Sequence, residues 1–254
     1  MDAAEWLLPT AVERKLRFRG TLHAFRAFDP VKTALIVVDL TPWFTQEFPE
    51  ASLVIDRVNR TAAALRASGG SVAWVVPRSF RNREVFSSIL GADPAAKFEE
   101  AATADNGLLD LHPDLRPGPG DLHATKSLYS AFFPGACDLS EQPKGRHIDT
   151  VLIVGALTHV CCEASARDAF SCGYKVIMVA DANLGPEAEG RAALTAVYRN
   201  FGDVWTTADV LKQLTLSSGS GNNMTQPPWL EASGAAMWAL ANRYTGKVGY
   251  KGGI

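Results

Sequence analysis

The chain has no C-x-x-C pair. Its four cysteines, Cys137, Cys161, Cys162 and Cys172, are spaced neither for a zinc site nor for a dithiol redox motif. It has little net charge, −2 at pH 7 from 25 basic and 27 acidic side chains, and no basic patch interleaved with aromatics. That balance gives no electrostatic attraction to nucleic acid or to an anionic membrane surface, so neither partner is expected. No apolar run approaches the ~18 residues that span a bilayer. The first ten residues, MDAAEWLLPT, lack the basic and apolar blocks of a secretory leader. A reducing cytoplasm is the expected compartment for such a thiol pattern. No internal repeat is visible.

What is present is enough chain for one α/β domain: 254 residues, 47% of them apolar. Six strand-like segments alternate with helical ones, which implies right-handed crossovers and a parallel sheet with helices on both faces. The strands are expected at residues 33–39, 71–76, 122–125, 151–154, 175–180 and 204–206. A helix is expected over 52–68, where Leu53, Val54, Val58, Ala62 and Leu65 recur at helical spacing and Gly69-Gly70 stops it. Further helices are expected at 136–147 (interrupted by Pro143), after Cys161, at 186–200 and at 208–214. Residues 77–120, rich in Pro and Gly, should supply short helices and active-site loops. Residues 1–30 read as an N-terminal extension, 31–216 as the domain, and 217–254 as a linker rich in Ser, Gly, Asn and Pro followed by a C-terminal extension. That extension carries Trp229, Trp238 and Tyr244, and is expected to pack on a neighbouring subunit or on the domain surface.

Chemistry concentrates at three strand ends. Residues 34–39, ALIVVD, end in Asp39; residues 122–126, LHATK, end in Lys126; and the apolar run 151–154 leads through Gly155 to Cys161. In an open parallel sheet, ligands bind outside the carboxyl ends of the strands. Cys161 stands where a helix should begin, beside unsatisfied N–H groups and the positive end of the helix dipole, a setting that favours a thiolate. Each feature has an ordinary explanation: a buried thiol, a helix-capping Asp, a solvated Lys. Their joint occurrence at the strand ends of one sheet points to nucleophilic catalysis, with Asp39 as base and Lys126 favouring the thiolate and anchoring Asp39. The adjacent Cys162 reads as core, and Glu163 with Arg167 as an i, i+4 ion pair.

The motifs resemble those of the isochorismatase-like cysteine hydrolases. The matching features are the Asp of LIVVDL, the Lys of KSLYSAFF, G-x-x-T-x-x-C at Gly155, Thr158 and Cys161, and AxxxGYKVxxVxDA from Ala169 to Ala182. The K-x-x-Y-S-x-F-F and C-x-E-x-x-x-R-D stretches most resemble the ureidoacrylate amidohydrolase branch. The resemblance implies a single-domain, three-layer α/β fold with strand order 3-2-1-4-5-6. It implies a catalytic set of Asp39, Lys126 and Cys161, a cis peptide between Ala156 and Leu157, and an oxyanion hole from the Leu157 and Cys161 N–H groups. It also implies a small amide, ureide or carbamoyl substrate, no cofactor, and a homo-oligomer. Metal-dependent members carry an Asp and paired His near the second strand; no D-x-H stands there, so no metal is expected. Where many members have Asp-Met-Gln after the first strand, this chain has Asp39-Leu40-Thr41.

Candidate substrate contacts are Trp43, Phe44, Arg78, Tyr129, Phe132 and His159, each of which has a structural alternative. The aromatics could belong to the core, and His159 could be a plain loop residue. The planar fork of Arg78 suits a substrate carboxylate, or equally an acidic residue within 77–120. Two other functions are open at this point: vinyl-ether hydrolysis, which needs an acid but no thiol, and a non-catalytic or redox role for the vicinal thiols.

Overall fold

Alternate residues of the apolar runs go to opposite faces of one sheet, and both faces are covered. Ile36, Val38, Val75, Ile153, Val176 and Met178 face one core cluster. Leu35, Val37, Trp74, Leu152, Val154, Ile177 and Val179 face the other. This is why the strands read as continuous apolar runs rather than alternating ones. The computed structural model describes residues 2–104, 106–137, 139 and 147–219.

In chain order the elements are α1 (Pro9–Arg19), β1 (Thr33–Val38), α2 (Pro42–Thr45), α3 (Ala51–Ala67), β2 (Ser71–Pro77), α4 (Arg83–Leu90), α5 (Ala92–Thr103), β3 (Leu122–Lys126) and β4 (Thr150–Ala156). A π-helical turn (Thr158–Cys162) then leads into α6 (Glu163–Ser171), β5 (Lys175–Leu184), α7 (Glu187–Asn200), β6 (Asp203–Trp205) and α8 (Thr207–Gly219). The six strands form one parallel sheet in the order β3-β2-β1-β4-β5-β6. Helix α3 buries Val54, Ile55, Val58, Ala62 and Leu65 on one face, each larger side chain contributing about 1.5–3 kcal/mol. It stops where Gly69 turns to φ 84 and the Gly70 N–H returns to the Leu65 carbonyl. Helices α6 and α7 cover the opposite face through Ala166, Ala169, Leu194, Val197 and Tyr198.

Residues before β1 belong to the same compact unit as the sheet. Leu7 and Ala11 enter the core beside α7, and the Leu8 N–H donates to Thr195 Oγ1 at 3.1 Å. On the β6 side, buried Asp203 accepts from the Ala24 and Phe25 N–H groups. The 77–120 segment supplies α4 and α5, which enclose a separate aromatic cluster of Phe80, Phe86 and Phe98. The two largest differences from the expected boundaries are at carboxyl ends. β5 continues to Leu184, and α8 runs through Ser217 to Gly219, where a linker was expected. The remainder of the 217–254 extension and most of the 136–147 helix lie outside the described residues. Among the described residues no helix is long and apolar enough to cross a membrane.

Candidate active site

The close approach of β1 and β4 creates the site. Gly155 pairs with Val38, and a Cβ on Gly155 would lie 1.9 Å from the Val38 carbonyl oxygen, so only glycine fits. Its φ of 128 also lies where L side chains are strained. One residue beyond β1 the chain turns through Asp39 at φ 51, a left-handed conformation that Asp tolerates better than most residues. The Asp39 N–H still bonds the Val75 carbonyl of β2 at 2.9 Å, which fixes the turn against the sheet. Across the strand gap, the Ala156–Leu157 peptide is cis and the π-helical turn carries Cys161.

Lys126 ends β3, two strands from β1, and its long side chain crosses the end of β2 to reach both groups. Its Nζ lies 2.7 Å from Asp39 Oδ2 and 3.4 Å from Cys161 Sγ, and donates to the Leu128 carbonyl at 3.1 Å. Asp39, Lys126 and Cys161 are all buried, at 0%, 2% and 4% exposure. The structure thus brings the three strand-end residues into one contact cluster.

Burial governs the charges. It pushes the Asp39 carboxyl above its ordinary value, against the opposing pull of Lys126. Burial pulls Lys126 down, but Asp39 and Cys161 outweigh it and hold the ammonium above its ordinary range. The Cys161 thiol is pushed well up, first by burial and further by Asp39, with Lys126 pulling the other way. This revises the expectation of a resting thiolate: the helix-end position and the cation do not offset the loss of solvent. These directions favour a neutral Cys161 thiol beside the Lys126 ammonium at rest. Cys162 is likewise pushed up by burial and belongs to the core.

These shifts set a pH dependence. Thiols with raised folded values stay protonated in the native state while the unfolded chain ionises from about pH 9, the ordinary value. Lys126 stays charged in the native state above its ordinary 10.5. In each case the folded state binds more protons, so stability falls as pH rises. Melting temperature is expected to decline between pH 8.5 and 10.5, with the decline shallower in Cys162→Ala. Equal slopes for the two proteins would show that Cys162 ionises as freely folded as unfolded.

The remaining candidates divide. Trp43 and Phe44, on α2, are half-buried and pack against Phe98 with centroids 5.9 and 6.4 Å away. Tyr129 meets Phe80 edge-on at 5.2 Å, and its phenol is raised first by burial and then by the nearby Cys161. These three form an aromatic wall against the cluster enclosed by α4 and α5. His159 follows Thr158 in the nucleophile turn, with Nδ1 buried, unpartnered and against Gly185. Leu157 is half-buried at the start of that turn. Two candidates have partners within the chain. Phe132 is fully buried in the core, its ring 5.6 Å from that of Tyr174. The loop curls there because Ser130 Oγ accepts from the Phe132 N–H. Arg78 pairs with Asp110 at 3.7 Å, both half-exposed or more, which is the acidic partner within 77–120.

Two positioning side chains carried no chemistry in the sequence reading. Thr158 Oγ1 donates to the Leu184 carbonyl at 2.8 Å, tying the nucleophile turn to β5. Ser165 is fully buried; its hydroxyl donates to the Cys161 carbonyl at 2.6 Å and accepts from the Ala131 N–H at 3.0 Å. It therefore joins the Cys161 turn to the loop that follows Lys126. Its only signal in the sequence was a polar residue on the apolar face of α6. Ser165→Ala leaves the Ala131 N–H without its partner and is expected to cost about 1–3 kcal/mol in urea unfolding. A loss below about 0.5 kcal/mol would mean that the loop finds another acceptor.

Among the described residues no group of three or more His, Cys, Asp or Glu side chains is arranged to hold a metal ion. The sheet order and the thiol–carboxylate–ammonium cluster at its carboxyl edge describe a class, the doubly wound α/β proteins with a cysteine at the switch point. Within that class the chain belongs to the isochorismatase family, whose domain model matches residues 33–209. It is 29% identical over 203 residues to the ureidoacrylate amidohydrolase RutB of Methylobacterium radiotolerans, covering 69% of this chain and 77% of that protein. A cysteine hydrolase from Pseudomonas syringae pv. phaseolicola superposes with a TM-score of 0.64 at 26% identity, covering 78% of this chain and 98% of that one. N-carbamoylsarcosine amidase from Thermoplasma acidophilum shares the fold, with a TM-score of 0.59 at 24% identity over 69% of this chain and 96% of its own.

Proposed function

We propose that the protein is a cysteine amidohydrolase that cleaves a C–N bond of a small amide, ureide or carbamoyl compound through a thioester on Cys161. The observation that carries this reading is the single ammonium of Lys126 contacting both Asp39 and Cys161. A carboxylate held beside a protonated thiol can take its proton as the sulfur attacks, so no free thiolate is required at rest.

In the first half-reaction Asp39 accepts the thiol proton and Cys161 Sγ bonds to the substrate carbonyl carbon. The oxyanion is received by the Leu157 and Cys161 N–H groups. The protonated Asp39 then gives its proton to the leaving nitrogen, the C–N bond breaks and ammonia or an amine departs. Water attacks the thioester with Asp39 again as base, releasing the acid and restoring the thiol. Lys126 keeps Asp39 oriented and offsets its charge throughout. The aromatic wall of Trp43, Phe44 and Tyr129 favours a planar or apolar group next to the scissile bond. Family membership and the 29% identity to a ureidoacrylate amidohydrolase support the C–N bond as the one cleaved.

The test is an ammonia-release screen across amides, ureides and carbamoyl acids, with acid-quenched protein analysed by mass spectrometry. The expected result is turnover on at least one class with an acyl mass on the Cys161 peptide. Turnover without any adduct on Cys161, under conditions that trap a known thioester enzyme, would reject the covalent mechanism.

A further inference from the structure

The pairing of β4 with β5 breaks beside the nucleophile turn. Ile153 pairs with Met178, yet two residues on Gly155 pairs with Asn183, so β5 carries three more residues than β4 across the break. β5 stays in step with β6 as far as Val179, opposite Trp205, and the extra residues bulge out after it. Such a break leaves backbone carbonyls without ladder partners unless a side chain supplies donors.

Asn183 supplies them. Its Nδ2 donates to the Ile153 carbonyl at 3.2 Å and to the Val179 carbonyl at 2.7 Å, one on each strand at the break. A reversed amide would set Oδ1 against two carbonyl oxygens, so the orientation is fixed. Oδ1 itself is buried without a hydrogen-bond partner, an unfavourable state that the two donated bonds offset. Asp181 pins the outside of the same bulge, its Oδ1 accepting from the Thr207 N–H and hydroxyl at 2.7 and 2.9 Å, with Arg57 3.4 Å from its other oxygen.

The strand that resumes beyond the break supports the nucleophile turn. Leu184 pairs with Ala156, and its carbonyl accepts from Thr158 Oγ1 at 2.8 Å. Gly185 follows so closely that a Cβ there would lie 3.2 Å from Thr158 Oγ1 and 3.3 Å from the Thr158 nitrogen. The turn from Leu157 to Cys161 is therefore built against residues 183–185.

We propose that Asn183 is a positioning residue: by clamping the β4–β5 break it sets Leu184 and Gly185, and through Thr158 it aims the Leu157 and Cys161 N–H groups at the oxyanion. This role rests on the cysteine-hydrolase reading above. It touches no substrate and moves no proton.

The test compares two reactions of Cys161, each followed by the mass of its peptide. Acylation by p-nitrophenyl acetate builds an oxyanion; alkylation by iodoacetamide, at a saturated carbon, does not. Asn183→Leu keeps the branched shape and removes both donors, and Asn183→Ala serves should leucine not fold; melting curves check both. Val72→Ala, a core cut at the amino end of β2, is the control for general loosening. The expected result is acylation slowed roughly ten- to hundredfold in the Asn183 variant, with alkylation within about threefold of the unsubstituted protein and little change of either in Val72→Ala. Unchanged acylation, an equal change in both reactions, or the same loss in Val72→Ala would each overturn the proposal. Should Cys161 of the unsubstituted protein accept no acyl group, the reading above fails, and deuterium exchange over residues 157–162 still decides the role of Asn183. Exchange accelerated roughly tenfold in the Asn183 variant supports the clamp on the turn; unchanged exchange overturns it.

Discussion

Cys161→Ala is expected to abolish turnover, by on the order of 10⁴- to 10⁶-fold, while the protein keeps its fold. The loss is large because no other group in the cluster can form the thioester. The fold survives because the substitution leaves the Asp39–Lys126 pair intact at 2.7 Å and exposes no charge. Cys162→Ala is the matched control. Cys162 is 0% exposed within the core against α6 and α7, so its loss leaves a small cavity and costs about 1 kcal/mol of stability with most activity kept. The two thiols are neighbours in sequence, yet only Cys161 contacts Lys126. Steady-state rates of both variants on one confirmed amide decide the matter. An active Cys161→Ala protein with an inactive Cys162→Ala protein would reverse the assignment.

Much of this arrangement was legible because buried parallel strands announce themselves as apolar runs and catalytic groups follow those runs directly. Asp39 directly follows its strand, Lys126 ends its own, and Cys161 stands in the turn after β4. Their convergence could not be read from periodicity; it follows from the strand order, which resemblance supplied. β5 shows how a local rule fails. Asp181 and Asn183 break the apolar run, so the strand was expected to end at Ala180, yet it reaches Leu184. Both polar side chains find partners where they stand: Asp181 caps α8 through Thr207, and the Asn183 Nδ2 donates to the Ile153 and Val179 carbonyls. Helix α8 likewise runs past its expected end, and there Thr215 and Ser217 return their hydroxyls to the Leu211 and Gln213 carbonyls within the helix. What sequence could not show is long-range. Ser165 pairs with Ala131 across 34 residues, Phe132 packs on Tyr174, and the Cys161 thiol is raised by enclosure that only the folded chain creates.

That enclosure makes the ion pair the most sensitive element of the site. Lys126→Ala leaves the Asp39 carboxylate buried at 0% exposure, with neither oxygen meeting a hydrogen-bond donor of good geometry. Removing one partner of a buried pair typically costs about 3–5 kcal/mol, so a large drop in stability is expected together with a rate loss of roughly 10²- to 10⁴-fold. Asp39→Asn should lose a similar factor in rate, because the thiol then has no base. The two variants separate in how the thiol ionises. Asp39 raises the Cys161 thiol and Lys126 lowers it. Removing the carboxylate charge leaves the ammonium unopposed, so alkylation of Cys161 by iodoacetamide at pH 8 should be faster in Asp39→Asn than in the unsubstituted protein. Removing the ammonium leaves the carboxylate unopposed, so alkylation should be slower in Lys126→Ala. Turnover thus falls in both while thiol reactivity moves in opposite directions. A merely structural role for the pair would change alkylation the same way in both variants, through loosened packing, and that outcome would sink the proposed division of labour between base and cation.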